Sequence, residues 1–153
     1  MGDSIIAVAG TLAGGLLTAL LQSRHSRAAR RDERAERRAA DLRAALGSLV
    51  AAIGDHRRAM WNREHLRLTG APQADHDSAR AASRATRSAV TAPLVAVSIL
   101  EPDLEPPARR AARAAMDMRG ATDLATLTAM REHAIAATDD LVSAAARTLR
   151  RAD

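Results

Sequence analysis

The side chains that could do chemistry in this 153-residue chain are few and badly spaced for it. Five histidines stand at His25, His56, His65, His76 and His133, and no two are four residues apart. The H-E-x-x-H pattern of a helical zinc site is therefore absent. Glu64 and His65, nine residues after His56, come nearest to a metal set, but solvated or half-buried histidines are the ordinary use of such positions on a helix. There is no cysteine, so disulfides, thiolate metal sites and cysteine nucleophiles are excluded. Gly14 and Gly15 lack the lysine and strand context of a phosphate-binding loop. Asp139 and Asp140 are adjacent, and a helix splays neighbours by about 100°, which separates them as an acid/base pair. No G-x-S-x-G elbow occurs. A nucleophile, base and orienting group cannot be assembled from these residues. The chain is expected not to be an enzyme and to use no metal or cofactor.

The most distinctive polar stretch is residues 55–68, which hold the only tryptophan, Trp61, among Arg57, Arg58, Arg63 and Arg67. One reading makes Arg57, Arg58, Trp61 and Arg63 a face for a partner or nucleic acid, with arginine stacked on the indole. The other makes Trp61 an anchor of the fold while the arginines lay their stems along it and keep their heads in water. Buried packing is the commoner use of a lone tryptophan, and that reading is preferred.

These residues need helices to hold them. The chain has 38 alanines, 23 arginines, no lysine, no phenylalanine and no tyrosine. Alanine and arginine are strong helix formers, and the aromatic strand formers are nearly missing. The fold class expected is all-α: a single N-terminal transmembrane helix running into a long helix, then an antiparallel helical bundle or coiled coil. The expected parts are an anchor at 1–22, a basic juxtamembrane helix at 23–43 and a cytoplasmic bundle at 44–153.

The anchor rests on charge placement. Residues 4–23 carry no charge, and their apolar residues lie all round the helix. Twenty residues rise about 30 Å, the hydrocarbon thickness of a bilayer. A signal peptide fits less well, because Met1, Gly2, Asp3 and Ser4 are not basic and no small-residue cleavage site follows. Residues 24–43 then hold eight arginines against four acids. The positive-inside rule puts the N-terminus outside and the C-terminal domain in the cytoplasm, as a single-pass cell-membrane protein. Arg24, Arg27, Arg30 and Arg31 would meet the lipid headgroups, each contributing ~1 kcal/mol. Gly10, Gly14 and Thr18 form a small-residue row on which two spans could pack.

Beyond the anchor, Glu33 and Arg37 sit at i,i+4 on a solvated helix. A heptad-like seam then runs through Leu42, Leu46, Leu49, Ile53, His56 and Met60. The helix should stop near Thr69, Gly70, Ala71 and Pro72. A second should begin between Asp75 and Ser78 with the stripe Ala82, Thr86, Ala89, Pro93, Val97 and Leu100, kinked or interrupted at Pro93. Residues 101–107 read as a break. A third helix is expected at 106–118, ending at Gly120. A fourth, capped by Thr122 or Asp123, should carry Leu124, Leu127, Arg131, Ala134, Thr138, Leu141, Ala145 and Thr148. Residues 44–153 contain only 24 of Leu, Ile, Val, Met and Trp. Alanine must do much of the packing, and a homo-oligomer is expected.

Residues 55–68, the segment 83–98 (SRATRSAVTAPLVAVS) and the opening 5–14 (IIAVAGTLAG) together resemble the KilB-type transfer proteins of actinomycete conjugative plasmids. The resemblance covers nearly the whole chain. It implies a membrane-associated accessory to plasmid transfer or to spread within a mycelium, harmful when its expression is unregulated. It carries no active-site residues. The partners implied are the lipid bilayer, other copies of the chain and a protein of the transfer machinery. Two other functions fit parts of the sequence. A DNA-binding accessory would set the arginines of 24–43 on phosphates, although that stretch holds four acids and no base-reading motif. A spanin-like phage lysis protein would have a span and a coiled coil, but with its basic flank before the span.

Overall fold

The computed structural model describes the backbone of residues 3–152 and the side chains of residues 30, 31 and 33–151. Four α-helices and one 3-10 turn account for the described chain: α1 (Asp3–Thr69), α2 (Gln73–Leu100), the turn Pro102–Leu104, α3 (Glu105–Met116) and α4 (Leu124–Ala152). No strand occurs among the described residues. The all-α expectation is met. The chain divides into two units, Met1–Ala39 and Ala40–Asp153.

In the first unit the described side chains are solvated. Arg30, Arg31 and residues 33–38 are exposed. Arg37 pairs with Glu33 one turn earlier, as the spacing predicts. Among the described residues no helix is long and apolar enough to cross a membrane. The expected span at 1–22, its packing row Gly10, Gly14 and Thr18, and the headgroup residues Arg24 and Arg27 lie outside the residues whose side chains are described.

The second unit is a helical bundle around two apolar clusters. The α1 seam is buried as its period requires: Leu42, Leu46, Leu49, Ile53, His56 and Met60 are all nearly inaccessible. The helix ends in a left-handed Gly70, φ 67°. The Ala71 N–H reaches back to the Leu66 carbonyl at 3.1 Å, which closes a Schellman turn. Pro72 then starts α2 immediately. α2 runs antiparallel to α1, since His56 meets Thr86 and Arg63 meets Ser83.

α2 corrects the predicted stripe. Its buried residues are Ala79, Ser83, Val90 and Val97, whereas Ala82 and Ala89 are exposed. The bulkier Val90 wins the inward position over Ala89, because it removes more apolar surface from water. Pro93 does not interrupt α2, which continues to Leu100. The break is also shorter than 101–107. Glu105, Pro106 and Pro107 form the first turn of α3, where a missing N–H has no helical partner to lose.

α3 is the hub. Ala108, Ala111, Ala112 and Ala115 on one face are each at most 3% exposed. These small side chains join Leu49 and Ile53 of α1, Val90 and Val97 of α2, Leu104, and Leu141 and Ala145 of α4 in the larger cluster. Met60, Met118, Ala121, Leu127 and Ala134 form the smaller one. Asp123, one of the two predicted caps, starts α4 by accepting the Thr126 N–H at 2.7 Å. The α4 stripe buries Leu127, Ala134, Thr138, Leu141 and Ala145, but Leu124 and Arg131 at its start are exposed.

Candidate functional site

α1 presents residues 55–68 to two different neighbours, so the four side chains singled out there do not form one face. Arg58 is exposed and ion-pairs with Asp55 on its own helix. Arg57 is half-buried. Burial lowers its pKa first, then the guanidinium groups of Arg131 and Arg58, with Asp139 opposing. Trp61 packs against the Met60, Met118 and Leu127 cluster. Arg131 of α4 lies 5.3 Å from its ring centre, and His65 stacks on it at 6.2 Å and 15°. The arginine over the indole thus comes from α4, not from the segment itself. Arg63 points the other way, toward α2, with its Nη1 3.5 Å from the Ser83 hydroxyl.

Glu64 is the polar centre of this end of the bundle, and sequence reading gave it no such role. The residue is only 1% exposed. Oε2 accepts from Arg67 Nε at 2.9 Å and from the Gly120 N–H at 3.0 Å. Arg67 also donates to the Ala121 carbonyl. Gly120 has φ 79°, a conformation glycine adopts without strain. One buried acid therefore ties the end of α1 to the loop before α4. The Arg67 guanidinium and the Gly120 amide in turn satisfy the buried carboxylate.

On the Arg63 side a cleft of about 270 Å3 opens, lined by His56, Met60, Arg63, Arg80, Ser83, Arg84, Arg87, Met116 and Arg119. Three of its arginines, Arg80, Arg84 and Arg87, follow the 4–3 spacing of one helix face, which was visible in the sequence. Arg63 and Arg119 reach it from other elements, which only the fold could reveal. Burial lowers the Arg63 pKa; the guanidinium of Arg119 lowers it further, against the opposing effect of Glu64, and Arg80 and Arg84 add to the lowering. Ser83 is buried and donates to the Arg80 carbonyl at 2.9 Å. His56 is 2% exposed and shares a 3.0 Å hydrogen bond with Thr86 Oγ1. Burial, then Arg87, pushes its pKa below the usual histidine value, so the ring is held neutral. A second cleft of about 200 Å3 shares Arg63 and Arg80 and adds Arg67, Gln73 and His76. Among the described residues no group of three or more His, Asp or Glu is placed to hold a metal.

The described residues thus define a helical-bundle protein with an arginine-lined cleft. The KilB plasmid transfer protein family matches residues 43–149. The chain is 52% identical to Protein KilB of Streptomyces lividans over 147 residues, 96% of this chain and 97% of that one. This chain belongs to the KilB plasmid transfer protein family. No solved structure matches it significantly.

Proposed function

We propose that this protein is a non-enzymatic, membrane-anchored accessory to conjugative plasmid transfer or intramycelial spread. Its part in plasmid transfer is carried by one observation, the family match over residues 43–149. The anchor is supported by the uncharged run at 4–23 followed by eight arginines in residues 24–43. The mechanism is tethering. A span confines the bundle to the membrane plane, which raises its effective concentration toward other copies and toward a protein of the transfer machinery. Arg24, Arg27, Arg30 and Arg31 hold the juxtamembrane helix against anionic headgroups. Gly10, Gly14 and Thr18 pack one span against another.

A plasmid-spread assay tests this. Deleting residues 2–22 should abolish function at unchanged protein level, and an unrelated apolar span in their place should restore most of it. Full function of the deleted form would refute the tether. Reduced function of a full-length Gly10→Leu, Gly14→Leu variant that stays in the membrane would support span packing, and full function would refute it.

A further inference from the structure

We propose that the cleft formed by Arg63, Arg80, Arg84, Arg87 and Arg119 binds a compact, multiply charged phosphate group, either a free polyphosphate or the phosphomonoester of a lipid headgroup. Five arginines from α1, α2 and the loop before α4 line one recess, and no Asp or Glu is among its lining residues. Among the described residues Arg80, Arg84, Arg87 and Arg119 take part in no ion pair. The acid nearest Arg63 is Glu64, 3.9 Å away, and Glu64 already serves Arg67 and Gly120. Five like charges with one shared carboxylate beside them repel each other, and a bound polyanion relieves that repulsion. Burial is the first cause of the lowered Arg63 pKa, and Arg119, Arg80 and Arg84 add to it against Glu64, consistent with this crowding.

Phosphate suits the recess better than other anions do. Planar guanidinium forks match the paired oxygens of a phosphate, and each gives two parallel hydrogen bonds. Five such cations exceed what a single carboxylate can neutralise. The recess has the volume of about nine waters at roughly 30 Å3 each, which accommodates two or three linked phosphates. The rest of its wall is Met60, Met116, the Ser83 hydroxyl and the His56 ring. No aromatic ring other than His56 lines it, so the site is built for the phosphate and not for a stacked base. Duplex DNA presents its phosphates in a row along a convex rod, whereas these five arginines gather around one recess of about 270 Å3, which fits an end group better. This site is independent of the membrane tether, because all its residues lie between 56 and 119.

Full-length protein in uncharged detergent micelles is titrated with inorganic tripolyphosphate. In parallel arms the micelles are doped with phosphatidate, or a duplex DNA is added. The same titrations use Arg84→Gln, Arg87→Gln and a control, Arg147→Gln, on exposed α4. Saturable binding of tripolyphosphate or of phosphatidate, weakened at least tenfold by each cleft variant and unchanged in the control, supports the proposal. The arm that binds identifies the source of the phosphate. Melting curves that match wild type verify that the exposed cleft variants fold. No saturable binding in either phosphate arm overturns the proposal. So does an equal loss in the control, or binding of duplex DNA alone.

Discussion

At the scale of single residues, Glu64 and His56 are buried groups with opposite electrostatic situations. The Glu64 carboxylate is supported by Arg67 and the Gly120 amide. Arg67→Ala should cost about 1–2 kcal/mol, because it removes a half-exposed partner from a buried carboxylate that keeps the Gly120 amide. Adding Glu64→Gln should recover part of that loss, a non-additivity that urea unfolding of the two variants would measure. His56 is buried where Arg87 opposes its protonation. The unfolded chain therefore binds its proton at higher pH than the folded one does. Its contribution to stability is complete above the ordinary histidine value of 6.5 and is lost as pH falls through 6.5 toward the depressed folded value. The urea midpoint should drop between pH 7.5 and pH 5.5, and His56→Gln should reduce that drop. Sequence alone placed His56 in the seam correctly, because its spacing from Ile53 and Met60 is helical. It missed Glu64, because the Gly120 amide that fixes its role is 56 residues away in the chain.

At the scale of elements, what was legible depended on side-chain size. The α1 seam is written in leucine, isoleucine and methionine, and each predicted position is buried. The turn at Gly70 and the Asp123 cap were likewise readable from local chemistry. The α2 stripe was misread because alanine is so abundant that it marks no face. Ala79 is buried while Ala82 and Ala89 are not, and only the partner helices decide between them. This register makes a clear prediction. Val90→Ala should destabilise the bundle by about 2 kcal/mol, since it removes buried methyl groups. Ala89→Leu should change stability by less than about 0.5 kcal/mol, as expected for an exposed position. Thermal melts of the two variants give the comparison, and equal losses would place the seam elsewhere. The prolines at 106 and 107 teach a related point. A Pro-rich run reads as a loop, but it also suits a first helical turn, where the prolines have no N–H to satisfy.

At the scale of the whole molecule, the family match covers the bundle, and the proposed tether belongs to the residues before it. An alanine-packed bundle encloses little apolar area per residue. Val95, Ile99, Leu124 and Val142 remain at least 45% exposed. If confinement to a membrane is what makes such a bundle effective, its location matters more than any single side chain on it. The measurement that addresses this most directly is membrane fractionation of the full-length protein, combined with a reporter at Asp153. The protein should stay in the membrane pellet after carbonate washing, and the reporter should work only on the cytoplasmic side. Recovery in the supernatant after the wash, or a reporter active only outside the cytoplasm, would contradict it.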